Sequence, residues 1–113
     1  MNIFREFTFE AAHRLPMVPL GHKCGRLHGH SYRVEIHVSG DIDPEMGWVR
    51  DFADIKADWK QLEDQLDHRY LNEVPGLENP TSENVARWIY ERFAGTPARV
   101  VVRETCTSGA VYP

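Results

Sequence analysis

The amino-acid sequence predicts an α+β domain, an antiparallel four-stranded sheet with two helices packed on one face. Three observations predict it. Residues 3–13 and 28–38 alternate between apolar and polar positions, the period of half-buried strands. Residues 52–66 and 85–93 instead carry apolar side chains at steps of three and four, the period of a helix with one buried stripe. Strand-like and helix-like segments are also segregated along the chain, which favours antiparallel pairing over a parallel βαβ arrangement.

The first strand is expected from about Ile3 to Ala12. Ile3, Phe7, Phe9, Ala11 and His13 share one parity, and Phe4, Glu6, Thr8 and Glu10 share the other; Arg5 and Phe4 interrupt the pattern. Pro16, Pro19, Gly21 and Gly25 mark a loop. Alternation then resumes, with His28, His30, Tyr32, Val34, Ile36 and Val38 on one face and Arg33, Glu35 and His37 on the other. Residues 40–47 read as a turn region, and Trp48-Val49 as a short returning strand. Asp51 is a suitable N-cap for the first helix, whose stripe is Phe52, Ile55, Trp59, Leu62 and Leu66 and which ends near Asp67-His68. A loop from Leu71 to Pro80 precedes a second helix capped by Thr81 or Ser82, with an apolar face of Val85, Trp88, Ile89 and Phe93. Val100-Val101-Val102 begins a last strand, after which Ala110-Val111-Tyr112 can resume pairing.

The chain is 113 residues long, enough for one domain spanning residues 1–113. Its net charge is −4 and it has no run of Lys or Arg, which disfavours nucleic acid or an anionic membrane as a partner. Residues 1–6 lack the basic and apolar regions of a signal peptide, and no stretch approaches the ~20 apolar residues of a membrane span. Two cysteines, Cys24 and Cys106, are too few for a disulfide framework, so a reducing, cytoplasmic setting is expected.

His28 and His30 are two apart, so on a strand both point to one face, the apolar one. Gly29 between them lets the backbone pass close to a neighbour. His13 ends the first strand on its apolar parity. Three inward imidazoles on two strands suit zinc, with a fourth coordination position left open. The alternative is a set of packed core histidines, disfavoured because burying several imidazoles without partners is costly. His37 has outward parity and His22 lies in the loop, so neither is chosen.

Cys24 lies four residues before His28, beside His22, Lys23 and Arg26, where cationic neighbours favour a thiolate able to act as base or nucleophile. Read alone it is equally an incidental free cysteine. Asp67-His68 is either a helix-end charge pair or a carboxylate orienting an imidazole. Adjacent helical residues face each other poorly, which argues for the former. Glu104 shares the inward parity of Val100 and Val102 and needs a partner, either an arginine or the guanidine-like edge of a heterocyclic ligand.

These pieces together resemble the pterin synthases of the tunnelling fold, the 6-pyruvoyltetrahydropterin synthase family. The resemblance covers essentially the whole chain. It rests on F-E-A-A-H-R-L at residues 9–15, G-H-K-C-G-R-L-H-G-H-S-Y at 21–32, L-D-H-R-Y-L-N at 66–72, E-N-P-T-S-E-N at 78–84 and E-T-C-T-S-G at 104–109. It implies zinc on His13, His28 and His30, proton transfer by Cys24, Asp67 and His68, and a pterin ring anchored by Glu104. It also implies a homohexamer built as a dimer of trimers, with active sites between subunits, so that Asp67 and His68 serve Cys24 of a neighbouring chain. The implied substrate is 7,8-dihydroneopterin triphosphate. The implied products are 6-carboxy-5,6,7,8-tetrahydropterin, acetaldehyde and triphosphate, on the route to queuosine, because the short Cys24–His28 spacing and the E-T-C-T segment resemble that branch. The alternatives are the pyruvoyl branch, which keeps the whole carbon side chain, and a non-catalytic zinc- or pterin-binding relative. Arg14, Lys23 and Arg26 are nearby cations for the triphosphate.

Overall fold

The computed structural model describes all residues from 1 to 113. The first two strands are the long alternating segments: β1 (Asn2–His13) and β2 (His28–Ser39) form an antiparallel pair running from Asn2 opposite Ser39 to His13 opposite His28. Their inward faces carry the side chains that alternation assigns there. Phe9, Ala11 and His13 are buried on β1, as are Tyr32, Val34, Ile36 and Val38 on β2.

Helix α1 (Phe52–Leu66) is capped by Asp51, whose carboxylate accepts the Ala53 N–H, and helix α2 (Ser82–Arg92) by Thr81, whose hydroxyl accepts the Asn84 N–H. The two helices bury Ile55, Trp59, Leu62 and Leu66, and Val85, Ala86, Trp88 and Ile89, in a single core against the inward sheet face. Trp59 stacks on Phe7 with ring centroids 5.2 Å apart, and Tyr90 of α2 meets Tyr112 edge-on at the same centroid separation. Phe52 departs from the expected stripe. At the first helical position it is half exposed, and it lines a hollow of about 290 Å³ with Ile42, Trp48 and Val49.

The sheet has five strands, not four, and is not wholly antiparallel. Its order is β3-β1-β2-β4-β5, with β3 (Arg69–Tyr70), β4 (Arg99–Arg103) and β5 (Gly109–Tyr112). The added strand is β3, which runs parallel to β1 with Arg69 beside Ala11 and Tyr70 beside Ala12. It arises because the chain leaves α1 through His68, at a φ of +57°, and the His68 N–H donates to the Glu10 carbonyl at 2.6 Å. That bond lays the next two residues along β1. Trp48-Val49 forms no strand. Asp43 closes the segment on itself: its N–H donates to the Trp48 carbonyl at 2.8 Å, and its carboxylate accepts the Glu45 and Met46 N–H groups. No helix is long and apolar enough to cross a membrane.

Candidate metal centre and surrounding cleft

The antiparallel register sets His13 directly opposite His28 and places His30 across from Ala11, two positions along the same inward face. Gly29 passes close to β1, where a Cβ would stand 3.3 Å from the Ala11 carbonyl oxygen. One ligand atom from each of the three histidines lies within 4.8 Å of the others. His13 is fully buried; His28 and His30 are partly so.

The other ring nitrogens fix what these imidazoles present. His13 Nδ1 donates to the Pro80 carbonyl at 2.9 Å, with Tyr32 Oη 3.1 Å from the same nitrogen, and His28 Nδ1 donates to the Arg26 carbonyl at 2.7 Å. An imidazole that donates through Nδ1 turns an unprotonated Nε2 to the other side. The two Nε2 atoms face each other at 2.9 Å, an arrangement of converging lone pairs that a cation stabilises. His30 Nε2 is buried with no hydrogen-bond partner at all. Burial holds His13 and His30 below the ordinary imidazole value, against the opposing pull of Glu104, so both favour the neutral, ligating form. The donor set, its convergence and the orphaned His30 nitrogen fit a divalent metal with an affinity for imidazole.

Glu104 follows β4 and turns its carboxylate to this cluster, with Oε1 3.4 Å from His13 Nε2 and 3.7 Å from His30 Nε2. No arginine pairs with it. The Glu104 N–H donates to the Ser108 carbonyl at 3.1 Å, and the Thr105 and Ser108 hydroxyls meet at 2.6 Å, so a closed turn carries it.

Asp67 and His68 do pair within one chain. Asp67 ends α1 as its C-cap and His68 takes the left-handed conformation, so neither keeps the helical geometry that would separate them, and His68 Nδ1 lies 2.9 Å from Asp67 Oδ2. The Glu10 N–H bonds Asp67 Oδ1 at 2.9 Å and, with His68, holds the Asp67 carboxyl below its usual range. The His68 ring is largely exposed and borders a hollow of about 560 Å³ shared with Glu10, Gly29, His30 and Ser31. Cys24 is not in that hollow. It is half buried in the turn Lys23–Gly25, where its N–H donates to His22 Nδ1 at 3.1 Å and its carbonyl accepts the Leu15 N–H at 2.8 Å. Cys24 and Cys106 are both free. Arg14 and Arg26 border a separate hollow of about 260 Å³ in the same loop. His37 lies on the opposite sheet face, paired with Glu35 at 3.0 Å.

Several contributors to the site have no signal by residue type in the sequence. The Pro80 and Arg26 carbonyls orient His13 and His28 through backbone atoms that every residue possesses. Asn72 clamps the backbone just after His13, bonding both the N–H and the carbonyl of Arg14. Asn72 and Pro80 fall in two of the motif stretches, the single hint available at sequence level.

The fold is that of an α+β domain of the tunnelling type, and its three converging imidazoles could hold a metal ion. Comparison with known proteins makes the class specific. The family model described as 6-pyruvoyl tetrahydropterin synthase matches residues 2–113, and the chain belongs to that family. It is 48% identical to the 6-carboxy-5,6,7,8-tetrahydropterin synthase of Synechocystis sp. over 97% of this chain and 91% of that protein. It is 39% identical to the dihydroneopterin monophosphate aldolase of Pyrococcus furiosus over 81% of this chain and 74% of that protein. Among solved structures, the Caenorhabditis elegans 6-pyruvoyl tetrahydropterin synthase superposes with a TM-score of 0.87 at 28% identity, covering 99% of this chain and 94% of that one.

Proposed function

We propose that the protein converts 7,8-dihydroneopterin triphosphate to 6-carboxy-5,6,7,8-tetrahydropterin, acetaldehyde and triphosphate, as a zinc-dependent lyase of queuosine biosynthesis acting in the cytoplasm. The observation that carries the reading is the convergence of His13, His28 and His30 beside Glu104 in a chain 48% identical, along nearly its whole length, to a protein named for that product. His13, His28 and His30 hold the metal, which when bound supplies Lewis-acid polarisation of the substrate's side-chain oxygens.

The remaining roles fall to the chain's own groups. Glu104 accepts the amino-pyrimidine edge of the pterin in paired, charge-assisted hydrogen bonds and so sets the ring's position. Cys24 and His68 move protons between side-chain carbons and oxygens. Asp67, already bonded to His68 Nδ1, leaves the Nε2 side of that ring free to face substrate. Arg14, Lys23 and Arg26 hold the triphosphate. No external reductant is required, because the ring gains the electrons that the side chain loses.

Cys24 does not line the hollow that His68 borders, which supports assembly into a homohexamer, a dimer of trimers, whose sites join Cys24 of one subunit to His68 of another. The outer edge of β5 is unpaired and β3 covers β1 only at Ala11 and Ala12, so sheet edges remain for such pairing. Turnover of 7,8-dihydroneopterin triphosphate by the metal-loaded protein tests the reading. Activity is expected in the wild type, absent from Cys24→Ala and His68→Ala separately, and partly restored when the two variants exchange subunits. No turnover by the wild type would return the chain to a zinc- or pterin-binding role.

A further inference from the structure

His22 stands outside the metal cluster but is bonded to the turn that carries Cys24. Its Nδ1 accepts the Cys24 N–H at 3.1 Å. The Cys24 carbonyl is fixed separately, by the Leu15 N–H at 2.8 Å, so of these two backbone bonds only the first depends on a side chain. A ring nitrogen that accepts an N–H carries no proton, which leaves the ring proton on Nε2 as a donor. The His22 ring is exposed and lines the hollow of about 260 Å³ together with Arg14 and Arg26. No acidic residue lines that hollow, and residues 14–26 hold three cations and no acid in a chain of net charge −4. The hollow also adjoins the metal centre. Arg14 directly follows His13, and the Arg26 carbonyl accepts the His28 Nδ1–H at 2.7 Å.

We propose that His22 is a phosphate-binding residue that also positions Cys24, so that one ring sets both the triphosphate and the thiol. The inference rests on the substrate proposed above. In 7,8-dihydroneopterin triphosphate the phosphates sit on the terminal carbon of the same side chain whose oxygens the metal polarises. A side chain held beside His13 and His28 therefore delivers its phosphates to the adjoining hollow. There the His22 Nε2–H donates to a phosphate oxygen alongside the Arg14 and Arg26 guanidinium groups, a charge-assisted bond. That bond fixes the ring with Nδ1 turned to the Cys24 N–H, and so immobilises the turn that presents the thiol. A pterin without phosphates leaves the ring held from one side only.

The test compares His22→Ala, which loses both contacts, with His22→Asn. An asparagine Oδ1 can still accept the N–H two residues on, but its amide is too short to place a donor where Nε2 stands. Affinities for 7,8-dihydroneopterin triphosphate and for 7,8-dihydroneopterin are measured by calorimetry on the zinc-loaded protein in a His68→Ala background, which blocks turnover. Iodoacetamide alkylation of Cys24 is followed against pH on the Cys24 peptide by mass spectrometry. Both His22 variants should lose about tenfold or more in affinity for the triphosphate, the range for a hydrogen bond to a charged group, with dihydroneopterin affinity unchanged. Alkylation should match the parent in His22→Asn. In His22→Ala it should be several-fold faster at high pH, because the loosened turn exposes a half-buried sulfur. Bound triphosphate should slow alkylation of the parent more than that of His22→Ala. Unchanged triphosphate preference in both variants would overturn the phosphate contact, and parent-like alkylation in His22→Ala would overturn the positioning role. A protein that binds neither pterin would overturn the proposed substrate and the phosphate contact together, while the alkylation comparison still decides the bond to Cys24.

Discussion

The side-chain amide of Asn72 pairs with the backbone of Arg14 in both directions: the Arg14 N–H donates to Oδ1 at 3.0 Å, and Nδ2 donates to the Arg14 carbonyl at 2.8 Å. In effect Asn72 extends the pairing of β1 one residue past its end and holds the backbone that carries His13. Asn72→Ala removes both bonds. We expect a loss of about 1–2 kcal/mol in urea unfolding, because the amide is partly solvated, with a measurable fall in metal affinity. Wild-type metal affinity in this variant would detach Asn72 from the site.

Metal content follows the side-chain directions. One divalent ion per chain is expected on elemental analysis. His28→Ala and His30→Ala should each lose it, and His37→Ala should keep it, since that ring sits on the opposite sheet face with Glu35. Full occupancy in a His28→Ala/His30→Ala double variant would exclude the three-histidine centre.

His68 occupies the left-handed region at a φ of +57°, a conformation that costs a side-chain-bearing residue about 1–2 kcal/mol. His68→Gly should therefore be more stable than His68→Ala by about 1 kcal/mol in chemical denaturation, while both lose turnover by at least ~10²-fold, the range for a lost general acid or base. Undiminished turnover in either variant would return the Asp67–His68 pair to a helix-end role.

On the outward sheet face Glu35 bonds Arg103 and His37. The Arg103 guanidinium, and then the His37 ring, hold its carboxyl below the usual 4.5. A depressed carboxyl contributes stability that is complete above the unfolded value and is lost as pH falls through the folded value. The wild type should therefore lose stability on acidification below about pH 4.5, and Glu35→Gln should show a shallower slope there. Identical slopes in denaturation series from pH 6 to 3 would contradict the assignment.

The parts of the fold that were legible in the sequence are those whose period repeats. Twelve-residue strands such as β1 and β2 alternate long enough to fix their faces, and the shared parity of His28 and His30 puts both rings on the inward face before any contact is known. Capping chemistry located both helix starts. Illegible were the features made by one or two backbone bonds. β3 is two residues long, too short to alternate, and exists because His68 N–H finds the Glu10 carbonyl. Trp48-Val49 has strand-like residue types but spends its hydrogen bonding on the Asp43 turn. The Asp67–His68 contact reads poorly as a helical neighbour pair, and forms because the helix has already ended at Leu66. Glu104 was recognisable as an inward acid, but its pairing with histidines rather than arginine depends on where the chain turns after β4.

The most direct test of the proposed function is the fate of the substrate's carbon side chain. Both the carboxy and pyruvoyl branches release triphosphate, so phosphate analysis does not separate them; cleavage between the first and second side-chain carbons does, because it alone liberates a two-carbon aldehyde. The zinc-loaded protein is incubated with 7,8-dihydroneopterin triphosphate without reductant or nicotinamide, the aldehyde is trapped, and the pterin is weighed by mass spectrometry. The account predicts acetaldehyde in a one-to-one ratio with substrate consumed, and a tetrahydropterin bearing a single side-chain carbon as carboxylate. A pterin that retains all three side-chain carbons, with no aldehyde trapped, would contradict it.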